Sequence, residues 1–248
     1  MTADIKSGLT PIGYMHSCFP EKFGTPRQPG LVTAASGTIA LVPPYNVPEM
    51  VRGLEAYSHI WVIFQFHGCA DRPWRPTVRP PRLGGNRRMG VLATRSTFRP
   101  NAIGMSAVRL AGIRCNAEGV FIAVTGIDII DGTPVLDIKP YLPYSDCIAE
   151  AAAPQAPAPP GEIPVTFSPP AAAALAALET TGYPGLGSLL STVLALDPRP
   201  AYHAGRHRKK TYAMRIYDLN VRWEPAGEGI RVTSITGPAP DQRSRLKA

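Results

Sequence analysis

The sequence predicts a mainly β protein, a β-barrel of antiparallel or mixed strands followed by a small α+β domain. Three observations carry that prediction. Up to Pro140 the chain holds many short β-branched runs with no 10–15-residue helical pattern between them, which argues against a doubly wound sheet. No GxGxxG string follows any of these runs, so a Rossmann nucleotide site finds no support. Residues 149–161 turn to Ala and Pro, and beyond them a helical pattern precedes further strands.

In chain order, residues 9–15 read as a first short strand. The segment 19–30 (FPEKFGTPRQPG) is a Pro/Gly-rich loop that pins Arg27 and Gln28 between two prolines. Short strands are expected at 31–34 and 37–42. A short helix is expected over 46–56, with Asn46 as N-cap and Met50, Val51 and Leu54 sharing a face. The run SHIWVIFQF at 58–66 reads as a buried central strand that delivers His67 to its end. Strands at 89–94, at 103–113 with Arg109 outward, and at 120–127 follow. A hairpin turn at 116–119 joins the last two, with Gly119 free to take positive φ. The string DIIDGT, 128–133, puts two carboxylates just past a strand end, and 135–138 forms one more strand.

The Ala/Pro stretch is a semi-rigid exposed linker. After it, Ser168-Pro169-Pro170 opens an alanine-rich helix running to about Thr180, with Ser168 as N-cap and Gly182 near the C-cap. Residues 187–196 form a second helix, ended by Asp197-Pro198, and 211–217, 221–223 and 229–235 read as strands. The expected division is a barrel domain over 1–148, a linker over 149–165 and a small α+β domain over 166–240, with a frayed tail.

Composition narrows the function. The 248 residues are 44% hydrophobic and contain no apolar run long enough to span a bilayer. The opening MTADIKSGLTPIGYM lacks the layout of a signal peptide, so cytoplasmic residence is the expectation. Four cysteines, at 18, 69, 115 and 147, form no CxxC or Cys/His cluster; they read as free thiols, and no metal site is expected. A net charge of +8 favours a polyanionic partner.

That charge is clustered. Residues 72–101 hold eight arginines and no Asp or Glu, together with five prolines and the pair Gly84-Gly85. Proline lacks a backbone N–H and fixes φ, so the segment is expected as a stiffened surface loop leading into a strand. Ordering such a loop costs backbone entropy that some contact must offset. Arginine in place of lysine points to bidentate recognition of phosphate or carboxylate, or to stacking on a base. Arg75, Arg79, Arg82, Arg87 and Arg88 are the RNA-binding candidates here, joined by Arg206, Arg208, Lys209 and Lys210 in a second cluster.

Three features at predicted strand ends offer chemistry: His67, Arg95 with Ser96, and the Asp128/Asp131 pair. Each also has a plain structural role open to it, as a core histidine, a turn cap, or an Arg95–Asp128 bridge. No GxSxG elbow, Walker loop or HExxH string is present, so hydrolase, NTPase and zincin readings find no motif.

Longer strings extend the reading. EKFGTPRQPGLV (21–32), VRGLEAYSHIWVIFQFH (51–67), WRPTVRPPRLGGNRRMGVLATRSTFRPNAIGMS (74–106) and DGTPVLDIKPYLP (131–143) closely resemble the TsaA-like family. Within it they are similar to the tRNA N6-methyltransferases that act on N6-threonylcarbamoyladenosine beside the anticodon. DPRPAYH (197–203) and KKTYAMRIYDLNVRW (209–223) resemble the C-terminal domain of the same enzymes. The resemblance implies an S-adenosylmethionine-dependent methyltransferase on a non-Rossmann β-barrel, working as a homodimer on tRNA without a metal. Carried over position by position, it implies a cofactor site of Pro26, Arg27, Gln28, His67, Gly68, Arg95, Met105, Asp128, Ile129, Ile130 and Asp131. Two departures stand out: Gly68 replaces a residue often polar in relatives, and RPNAIG, with Ala102, replaces the commoner RPNPIG.

Such a site makes chemical sense. Arg27 or Arg95 can bind the cofactor's carboxylate in a fork, and Asp128 or Asp131 can accept from its ribose or ammonium. The N6 nucleophile is poor because its lone pair is delocalised, so a proton must leave during or after attack. Asp128, Asp131 and His67 are the candidate bases, and the sequence does not choose among them. Two other readings stay open. One is a non-catalytic, cofactor-sensing RNA-binding module; the other is methyl transfer to another RNA or a small molecule.

Overall fold

Alternate residues of His59–Gln65 (β3) face opposite sides: Ile60, Val62 and Phe64 are buried, whereas Trp61 and Ile63 are half-buried. The apolar run is thus one wall of a barrel, not a strand buried on both faces. The outward Trp61 is covered by a later segment, through Tyr141 at a ring distance of 5.6 Å and a hydrogen bond from Nε1 to Asp146 Oδ2 at 2.9 Å. In this computed structural model, residues 8–69, 73–80, 87–156, 158–199 and 211–237 are described.

The other walls are Gly13–Ser17 (β1), Ser36–Leu41 (β2), Ile103–Asn116 (β6), Gly119–Thr125 (β7) and Thr133–Pro140 (β8). They close in the order β1-β2-β7-β6-β3-β8, and every pairing is antiparallel. Closure removes the exposed sheet edges that would otherwise invite pairing with other chains. The interior is filled by β-branched and sulfur side chains, among them Met15, Ile39, Ile60, Val108, Ile122, Val124 and Val135.

Three expected elements come out differently. Residues 31–34 form turns and no strand, and the Ala35 N–H bonds to Val32 O at 3.1 Å. The helix expected over 46–56 is two 3-10 turns, Pro48–Val51 and Leu54–Ala56, because Gly53 between them sits at φ 87°. The strand expected at 89–94 is only Met89–Gly90 (β5), paired with Thr77–Val78 (β4), before a 3-10 turn at Val91–Ala93. A short helix at Pro143–Asp146 (α1) has no counterpart in the sequence reading.

Beyond the exposed Ala/Pro stretch, Val165–Phe167 (β9), Tyr212–Ile216 (β10), Leu219–Ala226 (β11) and Gly229–Thr236 (β12) form a sheet in the order β10-β11-β12-β9. The short β9, which the sequence does not signal, runs parallel to β12. Helices Pro169–Thr181 (α2) and Leu186–Ala195 (α3) pack on this sheet over Leu190, Leu194 and Trp223. Ser168 caps α2 as expected, its hydroxyl accepting from the Ala171 N–H. This unit grips the barrel through the segment after β1. The Tyr217 N–H bonds to Cys18 O at 2.8 Å, the Arg215 N–H bonds to Glu21 Oε1 at 3.0 Å, and Met214 lies against Gly24. Among the described residues, no helix is long and apolar enough to cross a membrane.

Candidate active site

One mouth of the barrel collects most of the candidate residues. The pairings Met15↔Thr133, Gln65↔Ile103 and Ser36↔Thr125 place the ends of β1, β3 and β7 and the starts of β2, β6 and β8 together. Residues 66–69, 126–132 and the Pro/Gly loop 19–30 therefore meet there. The Gly30 N–H bonds to Gly126 O at 2.8 Å, tying the loop to the 126–132 turn.

The turn itself is held from several sides. Ile129 is buried and anchors it. The N–H groups of Asp131 and Gly132 reach Phe19 O and Met15 O, each at 2.8 Å. Asp131 Oδ1 accepts from the Ser17 N–H at 2.9 Å, so this exposed carboxylate caps a turn. Asp128 is different. It is half-buried, and the Ser106 hydroxyl donates to its Oδ1 at 2.6 Å. Burial pushes its carboxyl up from 3.8 to about 6, against the Ser106 hydrogen bond, its own backbone N–H and the Arg95 charge, which favour the anion.

Arg95 comes from the loop after β5. Its Nη1 donates to Gln28 Oε1 at 2.5 Å, joining the ATRST and PRQ strings. An Arg95–Asp128 bridge is thus replaced by an Arg95–Gln28 bond, with Arg95 acting on Asp128 only through its field. Arg27 is exposed and Pro26 buried, against Leu196 and Pro198 of the C-terminal unit across a cavity of about 40 Å³. His67 opens the 3-10 turn His67–Cys69 at the end of β3. Its Nδ1 is buried with no hydrogen-bond partner, a costly condition that an incoming polar ligand group would relieve. Gly68 is exposed, and a Cβ added there would lie 3.5 Å from Ile130 Cδ1, so a side chain at this position would border the turn. Met105 projects outward from β6 and is 55% exposed.

These residues fit S-adenosylmethionine. Two guanidinium groups stand ready for its carboxylate, Asp128 and Gln28 can accept from its hydroxyls or ammonium, and His67 supplies an unused polar atom.

The arginine-rich segment is only partly a loop. The ribbon of β4 and β5 pairs Val78 with Met89, so Arg79 and Arg88 emerge side by side at its end, next to Arg87, all three exposed. Arg75 lies over the Phe98 ring at 5.3 Å. Arg99 is a structural cation: its Nη1 donates to Thr94 O at 2.6 Å and Val91 O at 3.4 Å. Arg82, Arg206, Arg208, Lys209 and Lys210 lie outside the described residues.

Sequence reasoning missed two site residues. Ser106 occupies an inward position of β6, between the buried Gly104 and Val108. A hydroxyl at an apolar position of the strand alternation was the available signal. Gly104 is required by packing, because a Cβ there would lie 2.3 Å from the Phe64 ring. Ala102, in the RPNAIG departure, sits at φ 46°, a value that proline's ring excludes.

The description tRNA-methyltransferase O N-terminal domain matches residues 14–147, and TrmO C-terminal domain matches residues 160–238. The tRNA (adenine(37)-N6)-methyltransferase of Escherichia coli is 50% identical over 90% of this chain and 95% of its own length. A Pseudomonas aeruginosa relative, 46% identical over 92% of this chain and 97% of its own, is named for S-adenosylmethionine-dependent methyl transfer. A crystal structure of TrmO from Pseudomonas aeruginosa is 40% identical, with a TM-score of 0.77 over 94% of this chain and 99% of that one. With matches running through both the barrel and the C-terminal sheet, the chain belongs to the tRNA-methyltransferase O family.

Proposed function

We propose that this chain methylates N6 of N6-threonylcarbamoyladenosine at position 37 of tRNA, beside the anticodon, with S-adenosylmethionine as donor. The coarser statement, an S-adenosylmethionine-dependent tRNA adenine-N6 methyltransferase, rests on family membership. The observation that carries the finer reading is the grouping at one barrel mouth of the Arg95–Gln28 pair, the unpartnered Nδ1 of His67 and a half-buried Asp128, beside a ribbon of exposed arginines. A substrate bearing a threonine carboxylate near the reacting nitrogen gives those guanidinium groups a second anion to bind besides phosphate.

The bound cofactor supplies an electrophilic methyl on a positive sulfur. The chain's residues orient, grip and deprotonate. Pro26, Arg27, Gln28, His67, Gly68, Arg95, Met105 and residues 128–131 line the cofactor. Asp131, exposed and bonded through Oδ1 to the Ser17 N–H, holds the turn as well as bordering the cofactor. Asp128 takes the N6 proton: its burial brings its affinity for a proton towards the working pH, where a base is most effective. With the cofactor held by Arg27, Gln28 and Arg95, its methyl would pass to N6 and the electron pair of the methyl–sulfur bond would stay on sulfur; the chain's own part is to take the N6 proton at the Asp128 carboxylate. Arg75, Arg79, Arg82, Arg87 and Arg88, with Arg206, Arg208, Lys209 and Lys210, hold the anticodon stem-loop. The target base must be reached in the single-stranded loop, where it can splay into the site.

The domains divide as 1–148, 149–165 and 166–240, and two chains act together as a homodimer. Support for pairing lies in the exposed apolar side chains Ile103, Met105, Leu92 and Trp74 on and around β6 and the arginine segment, more than an isolated surface residue requires.

The test is methyl transfer from labelled cofactor to tRNA with and without the threonylcarbamoyl group. Label only on modified tRNA supports the proposal. Equal labelling of unmodified tRNA removes the substrate assignment, and cofactor binding without label on any RNA favours a sensor module.

A further inference from the structure

Among the described residues three polar residues are buried: Ser106, Thr133 and Ser168. Ser168 caps α2. The other two lie inside the barrel and both hold the 128–130 turn: Ser106 Oγ donates to Asp128 Oδ1 at 2.6 Å, and Thr133 Oγ1 donates to Ile130 O at 2.7 Å. Burying a hydroxyl in an apolar barrel is unfavourable unless its bond is made, and alanine would fill the Ser106 position without that demand. The hydroxyl's use must therefore be sought in what it holds.

We propose that Ser106 is a positioning residue for the reaction, fixing the Asp128 carboxylate so that Oδ1 is committed and Oδ2 is the atom presented to the N6 proton. This rests on the reading of Asp128 as proton acceptor. A side chain on a turn has rotational freedom that a base must lose before it can act, and a short bond from a rigid strand removes it in advance. Because the hydroxyl donates, it also stabilises the ionised form that can accept a proton. Arg95, facing from the loop after β5, favours the same form. Asp131, on the same turn, is directed to the Ser17 N–H, and His67 arrives from the end of β3 beside Gly68, which borders Ile130. Ser106 is thus the neutral group that aims Asp128, among neighbours whose charges only bias it.

The experiment is Ser106→Ala in the full-length protein. The first readout needs no cofactor: titration of the Asp128 carboxyl carbon by NMR. Losing a hydrogen bond to a charged group should move that titration up by about one pH unit. The acid limb of the pH–kcat profile should move up with it, kcat at neutral pH should fall about tenfold, and the Kd for S-adenosylmethionine should hold within about twofold. A carboxyl titration at the wild-type position, or a loss confined to cofactor affinity with the pH profile unmoved, overturns the proposal. Asp128→Asn separates this from failure of the underlying reading. Full activity in that variant removes Asp128 as the base, whatever Ser106→Ala does to the carboxyl titration.

Discussion

Arg95 Nη1 and Gln28 Oε1, 67 residues apart in sequence, meet at 2.5 Å across the mouth of the barrel. The bond closes the PRQ loop onto the loop after β5 and orients a guanidinium whose remaining N–H groups are free to take a carboxylate. Gln28→Ala should leave the fold intact but weaken S-adenosylmethionine binding by about tenfold, and Arg95→Ala by more. Titration calorimetry on both variants checks this. Unchanged affinity in both would remove the pair from the cofactor site.

Asp128 gives a pH prediction of definite sign. Its folded value, about 6, lies above the ordinary 3.8, so the folded state binds this proton more tightly than the unfolded state. The resulting stability is fully present below about pH 4 and is lost as pH rises through about 6, leaving the ionised group as a cost at neutral pH. A rise of about two pH units sets a ceiling of about 3 kcal/mol on that cost. Asp128→Asn keeps an oxygen for the Ser106 hydroxyl and removes the charge. It should therefore raise the melting temperature at pH 8 more than at pH 5, while abolishing most methyl transfer. A variant destabilised at pH 8 would contradict the assignment.

Gly104 is a packing constraint at the wall of the site. Gly104→Ala would bring a Cβ to 2.3 Å from the Phe64 ring, and both lie in paired strands with little room to move. Overpacking of this kind costs about 1–3 kcal/mol. Urea denaturation should show the midpoint lowered, and a midpoint at the wild-type value would mean the ring swings aside freely.

Charge reversal at Arg79 and Arg88, neighbours at the end of the β4–β5 ribbon, should weaken tRNA binding at every sequence and flatten its salt dependence. Cofactor affinity should be untouched. Loss of both affinities in step would show that the ribbon belongs to the cofactor site.

Much of this was legible in the residues. Strand alternation and the missing helical spacers pointed to the barrel, and the strings around Gln28, His67, Arg95 and Asp128 come together at one of its mouths. What escaped had local causes. Gly53 interrupts a helical pattern over 46–56 that composition alone cannot distinguish from two 3-10 turns. The run 58–66 looked buried on both faces because its outward Trp61 is covered by Tyr141 and Asp146, residues far away in sequence. Arg99 is one of the eight arginines of 72–101, yet it serves the carbonyls of Thr94 and Val91, which composition alone does not signal. The sequence offered three candidate bases, Asp128, Asp131 and His67, and no local pattern in it signals that Asp131 accepts from the Ser17 N–H while Asp128 accepts from the Ser106 hydroxyl.

The most direct test of the whole account is a single-turnover assay of labelled methyl transfer to tRNA purified from cells with and without the threonylcarbamoyl modification. Label appearing on N6 of the modified adenosine at position 37, and not on unmodified tRNA, is the predicted result. Purified protein that neither retains S-adenosylmethionine nor labels either tRNA would contradict it.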